Sequence, residues 1–252
     1  MHGSRKRRPL RDSHTPQAIA TRLASAPEHS YLGDGVLGAI DGTVTTFAIV
    51  AAASGAGLSG GVALVLGLAN VLADGLSMAV GNHLRAKADR DVVERAREVE
   101  ELHIDRVPEG EREEIRQVFA AKGFAGPVLD EVVAVITRDR KQWVDTMLTE
   151  ELGLRLETPA PLRASLTTFL AFLLAGLVPL LPLFIVGRRH AAHAFLACLV
   201  AAGITFFLIG QVKGRLVGAS ALRSGLETLL VGGVAATLAY LVGLAAKGLL
   251  VA

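Results

Sequence analysis

One cysteine, Cys198, stands in the 252 residues, which argues against an intrachain disulfide framework and a cysteine-based zinc site. Aromatic residues make up only 5% of the chain and charged residues 20%, against 51% hydrophobic. With a mean hydropathy of +0.45, that is too apolar for a water-soluble domain of average composition, so a soluble enzyme is disfavoured. No Walker-type phosphate loop supports ATP-driven pumping, and no repeat or low-complexity stretch is present. The net charge of +2 averages a basic N-terminus (Arg5, Lys6, Arg7, Arg8, Arg11, Arg22) with an acidic middle. The basic pI therefore gives no reason to expect nucleic acid or nucleotide as a partner.

What is present is a sharp division of charge. The block from Arg85 to Arg163 holds 14 of the 26 Lys and Arg and 18 of the 24 Asp and Glu. Elsewhere, charge-free runs are long enough to cross a bilayer, which takes about 20 apolar residues as helix. Gly42 to Ala73 exceeds one crossing and is cut by Ser54, Gly55, Gly57, Ser59, Gly60 and Gly61, which predicts a hairpin of helices over about 36–56 and 61–84. Ala164–Gly187, Ala191–Val212 and Thr228–Ala246 each match one further span. The expected fold is an all-α membrane protein of five transmembrane helices.

A cleaved signal peptide is a poor reading of the N-terminus, because the first apolar run begins only near Val36 and passes straight into a second. The basic tail, the 85–163 block and the loop bearing Lys213, Arg215 and Arg223 are expected on the cytoplasmic side. Arg188 and Arg189 oppose that orientation. The expected division is a tail over 1–33, spans one and two over 34–84, a cytoplasmic domain over 85–158 and spans three to five over 159–252.

No Gly or Pro interrupts Leu84 to Arg106, so span two is expected to leave the membrane as one continuous charged helix. Pro108 opens a second helix over about 109–122, and Pro127 opens a third that runs to Gly153. Glu100 with His103, Glu111 with Glu114, and Met147 with Glu151 are spaced to share helix faces. Three helices offering such pairs to one space would suit a borderline divalent cation such as Fe²⁺ or Mn²⁺. A solvated face carrying intrahelical ion pairs is the ordinary alternative, and spacing alone favours it. Glu98 and Glu101 supply a competing phase.

Inside the first two spans lie Asp41 and Asp74, where a lone carboxylate costs about 2.5–3.5 kcal/mol. Asp34 and Asp41 share a face of span one, and Asn70, Asp74, Met78 and Asn82 recur every four residues along span two. Counted from the span ends, Asp41 and Met78 sit at one depth and face each other. A helix-capping role for Asp41 and plain packing for Met78 are the alternatives. Gly38 with Gly42, and Gly210, Gly214 and Gly218, let helices approach closely, within the chain or across a dimer seam. Pro179 and Pro182 are expected to kink span three, and His190 and His193 to lie at an interface.

Asp34-Gly35-Val36-Leu37-Gly38-Ala39-Ile40-Asp41-Gly42, Gly67 to Asn70 with Ala73 to Met78, Pro108 to Glu111 with Glu114-Ile115, Trp143 to Gly153, and Pro179 to Pro182 resemble the vacuolar iron transporter family from about residue 30 onward. That resemblance implies a five-helix homodimer in a lipid bilayer, moving Fe²⁺ and often Mn²⁺ out of the cytosol in exchange for protons. The cytoplasmic three-helix domain between spans two and three would bind metal. It further implies that Glu100, Glu111, Glu114, Met147 and Glu151 belong to the cytoplasmic metal site, and Asp41 and Met78 to the translocation path. The sequence departs from the family pattern at four places: His103 replaces a glutamate, Leu148 a second methionine, Asn70 an acid, and Asn82-His83 a glutamate followed by an aromatic. Asp74, four residues beyond Asn70, is expected to supply the missing carboxylate.

The implied function is export of Fe²⁺, with Asp34, Asp41, Asn70, Asp74, Met78 and Asn82 along the path and His103 joining the cytoplasmic ligands. The plasma membrane of a bacterium is the expected setting. A membrane-anchored iron sensor or storage protein is the alternative. A di-iron oxidase is disfavoured, because the Glu-x-x-His spacing expected twice occurs once, as Glu100 to His103.

Overall fold

The computed structural model describes residues 12, 14–24, 29–186 and 191–251. Residues Arg5 to Arg11 of the basic tail, and Arg188, Arg189 and His190, lie outside them. Among the described residues every regular element is helical. The tail forms a unit of its own, with one short helix, α1 (Pro16–Ala24), whose start is capped by the Thr15 hydroxyl accepting from the Ala18 N–H at 3.3 Å.

The rest is built on five helices long and apolar enough to cross a membrane. They are α2 (Leu32–Gly55), α3 (Gly60–Arg106), α7 (Pro161–Leu177) continuing into α8 (Leu181–Val186), α9 (Ala191–Leu216) and α10 (Ala221–Val251). The turn between α2 and α3 uses Gly57 at φ +73, and Ser59 caps α3 by accepting from the Val62 N–H. A 3₁₀ turn over Val178–Leu180 joins α7 to α8, which is the kink expected from Pro179 and Pro182.

Span one is the central helix and packs against all four other spans. Missing side chains make this possible: a methyl at Gly38 or Gly42 would collide with the carbonyl oxygen of Thr168 or Phe172 on α7. At the other end, Gly55 meets the Tyr240 carbonyl and Gly243 the Ala52 carbonyl. Gly210 and Gly214 serve the same purpose between α9 and α10, against Ser224 and Ala221. Close backbone approach adds dispersion where lipid gives no hydrophobic drive. Gly218 departs from that pattern; its φ of +69 makes it the turn residue that ends α9.

Helix α3 runs unbroken over 47 residues, about 70 Å at 1.5 Å per residue. Its C-terminal half packs with α4 (Pro108–Ala121), α5 (Gly126–Arg138), α6 (Arg140–Thr146) and a π-helical turn over Met147–Glu151. The expected single helix from Pro127 to Leu152 is therefore two helices and a wide turn. Asp139 breaks it: its backbone is extended (φ −107, ψ 116) and its carboxylate accepts from the Gln142 N–H at 2.8 Å, which caps α6. The apolar core of this domain joins Ile104, Ile115, Val133, Trp143, Met147 and Leu148. Arg97–Asp145, Arg116–Asp130 and Arg140–Asp105 tie its helices together at 2.5–2.6 Å.

Candidate functional site

Two acidic clusters lie along α3. In the outer one, the continuous helix carries Glu100 and, one turn on, His103. Pro108 starts α4 at once, so Glu111 returns onto the same face. One ligand atom from each of these three residues lies within 4.8 Å of the others, with His103 Nδ1 3.3 Å from Glu111 Oε1. It is the only such group of three or more metal-binding side chains among the described residues.

Burial separates this cluster from a solvated charged face. Glu100 is 5% and Glu111 2% exposed, while His103 remains open to solvent. Oε2 of each glutamate has no hydrogen-bond partner among the described residues. Burial, then Glu114, Glu100 and Glu151 nearby, push the Glu111 carboxyl up to about 7. The Glu151 carboxyl is raised by burial and by Glu114 and Glu100, and eased by His103. A cavity of about 780 Å³ opens beside the cluster, lined among others by Asp91, Arg95, Glu100, His103, Glu114 and Glu151. Buried carboxylates without enough donors are costly, and a divalent cation would supply the charge that these lack.

Of the six residues expected in this cluster, Glu100, His103, Glu114 and Glu151 line that cavity, and Glu111 joins Glu100 and His103 beside it. Met147 is fully buried in the apolar core with Ile115 and Leu148 and does not line the cavity. In the competing phase, Glu98 and Glu101 are exposed, and Glu98 pairs with Arg95 at 3.1 Å.

The second cluster lies between spans one, two and three. The Asn70 amide donates to the Thr45 hydroxyl at 3.4 Å, and that hydroxyl donates to the Asp41 carbonyl at 2.9 Å. Asp41 and Asp74 are near enough for their charges to interact. Nearer the charged domain, the Asn82 amide donates to Asp34 Oδ1 at 2.9 Å and to Thr168 Oγ1 at 2.7 Å. These contacts fix the antiparallel register of α2 and α3. Asp74 falls opposite Asp41, and Met78 falls opposite Leu37–Gly38, about one turn from the level expected for it. Counting from span ends misjudged this because the apolar boundary of α3 is blurred by its continuation into the charged domain.

Three residues here escaped sequence reasoning. Thr45 and Thr168 look like unremarkable span residues, though each also bonds a carbonyl one turn back. Arg85 reads as the boundary of the apolar run, yet its Nε and Nη2 donate to Asn82 Oδ1 at 3.2 and 2.9 Å. Its position three residues beyond Asn82, on the same helix face, was the available signal.

The model of the VIT family matches residues 32–244. A vacuolar iron transporter of Toxoplasma gondii is 37% identical over 217 residues, covering 82% of this chain and 72% of that protein. Vacuolar iron transporter 1 of Arabidopsis thaliana is 35% identical over 210 residues, covering 82% of each. Vacuolar iron transporter 2 of rice is 34% identical over 238 residues, covering 93% and 92%. Five apolar spans, a carboxylate-rich helical domain continuous with the second of them, and these matches make the chain an integral membrane protein and a member of the vacuolar iron transporter family.

Proposed function

We propose that the protein exports Fe²⁺, with Mn²⁺ as a second substrate, from the cytosol in exchange for protons. The observation that carries this reading is the pair of buried glutamates, Glu100 and Glu111, each with an Oε2 that no donor among the described residues satisfies. They sit on or beside the helix that also carries Asp74 into the membrane. Relatives named as iron transporters support iron as the cargo.

The charged domain faces the cytosol in this reading, as the basic tail and the Lys213–Arg223 loop require. Glu100, His103 and Glu111 collect the metal, with Glu114 and Glu151 lining its approach and Met147 closing the apolar side. Asp34, Asp41 and Asp74 carry it through the membrane, with Met78 between them. Asn82 orients Asp34 by a hydrogen bond, and Asn70 bonds the Thr45 hydroxyl one turn from Asp41. A homodimer encloses the half-open face of α3 on which Asn70, Asp74 and Met78 lie.

Carboxylates bind metal only when deprotonated, so protons and metal compete at each site. With the Glu111 carboxyl near 7, binding at the collecting site strengthens as pH rises through neutrality and weakens below it. Proton entry from an acidic far side would then expel metal from Asp41 and Asp74. Fe²⁺ uptake into sealed proteoliposomes with an acidic interior tests this directly. Wild type is expected to accumulate metal only with the gradient. Metal binding without uptake would replace transport by a sensing or storage role.

A further inference from the structure

Asp34 lies between the charged domain and Asp41, seven residues short of Asp41 on the same face of α2, so a cation passing from one to the other meets it first. Its side chain is one-tenth exposed. The Asn82 amide donates to it and, in turn, to the Thr168 hydroxyl. Arg85 brings a positive group there, its Nη2 lying 3.5 Å from Asp34 Oδ1.

That guanidinium has two carboxylate partners of unequal character. One arm reaches Asp34 in the protein interior, while Nη1 holds Asp89 at 3.0 Å on the helix surface, one turn along α3, where the side chain is half exposed. Arg85 itself is more than half exposed. It can therefore leave Asp34 without losing its charge partner or its access to water. A divalent cation at Asp34 would stand within a few ångströms of a fixed positive charge, so the two cannot share the carboxylate comfortably.

We propose that Arg85 is a tethered cation at the mouth of the path, which competes with incoming metal for Asp34 and withdraws onto Asp89 when a divalent ion takes its place. The inference rests on the transport reading above and adds a residue that sets how much metal is needed to open the path. A monovalent ion brings no more charge than the guanidinium and none of its hydrogen bonds, so it does not displace Arg85. A divalent ion does. Arg85 is thus a specificity-determining residue that acts through Asp34, and Asp89 is its alternative berth.

Opposite signs in two variants test this. Arg85→Gln removes the competitor and is expected to lower the half-saturating Fe²⁺ concentration for proteoliposome uptake by about fivefold, the size of a partly buried ion pair. Asp89→Asn removes the berth and is expected to raise that concentration about twofold. In the Arg85→Gln background the Asp89 change is expected to have no further effect, and Arg85→Lys is expected to fall between Gln and wild type. An unchanged or raised half-saturation in Arg85→Gln, or an Asp89→Asn effect that persists without Arg85, overturns the proposal. If Arg85→Gln does not fold, Asp89→Asn alone decides: no increase overturns it. Mn²⁺ binding to the same full-length proteins in detergent, followed by electron paramagnetic resonance, is expected to show the same order of affinities. Wild type that binds Mn²⁺ but transports nothing would sink the transport reading, and the order of those binding affinities would still decide the role of Arg85.

Discussion

The two acidic clusters on α3 are built on opposite principles. At Glu100 and Glu111 the protein buries carboxylates and leaves an oxygen of each without a partner. At Asp34 it supplies an amide, itself held by a threonine hydroxyl, and adds a guanidinium. In the transport reading the first arrangement awaits a cation from outside, and the second is already provided with one. Collection of metal needs the former, because an uncompensated site draws cations; control of entry is better served by the latter.

Breaking the membrane path should have the largest effect. Asp41→Ala is expected to abolish gradient-driven Fe²⁺ uptake while leaving binding at the outer cluster intact, as metal titration of the detergent-solubilised variant would show. Glu111→Ala with Glu114→Ala should be milder in rate but not in affinity. Metal binding at the outer cluster is expected to weaken by about 10- to 100-fold, and uptake at low Fe²⁺ should slow accordingly.

The same contrast predicts a pH effect on stability. The Glu111 carboxyl stands near 7 in the folded protein against its ordinary 4.5. Its contribution is therefore fully present below about 4.5 and lost as pH rises through about 7. The thermal midpoint of the metal-free protein is expected to fall between pH 5 and pH 8. Glu111→Gln should flatten that dependence, and added Mn²⁺ should reverse it in wild type. A smaller effect is expected from the packing that holds span one in place. Gly42→Ala brings a methyl against the Phe172 carbonyl and should cost about 1–3 kcal/mol, read as a lower midpoint without a change in the outer cluster's metal affinity.

Much of this was legible in the sequence because it rests on periodicity and on absence. Charge-free length marks the five spans, and the lack of Gly or Pro from Leu84 to Arg106 marks the continuous α3. Pro108 following directly on that helix is what returns Glu111 to the face of Glu100 and His103. Spacing did not reveal that Glu100 and Glu111 are buried, since burial depends on how α4 and the π-helical turn pack against α3. The break at Asp139 was hidden for a related reason. Nothing in Pro127 to Gly153 forbids one helix, and the interruption comes from a carboxylate that caps the next segment. Arg85 was missed because a charge at the end of an apolar run has an ordinary explanation as a boundary residue, and only its partners across α2 show otherwise.

Fe²⁺ uptake by sealed proteoliposomes, acidic inside, with wild type beside Asp41→Ala, addresses the central claim most directly. Gradient-dependent accumulation by wild type that vanishes in Asp41→Ala is the result expected here. Equal uptake by the two proteins, or uptake indifferent to the gradient, would contradict it.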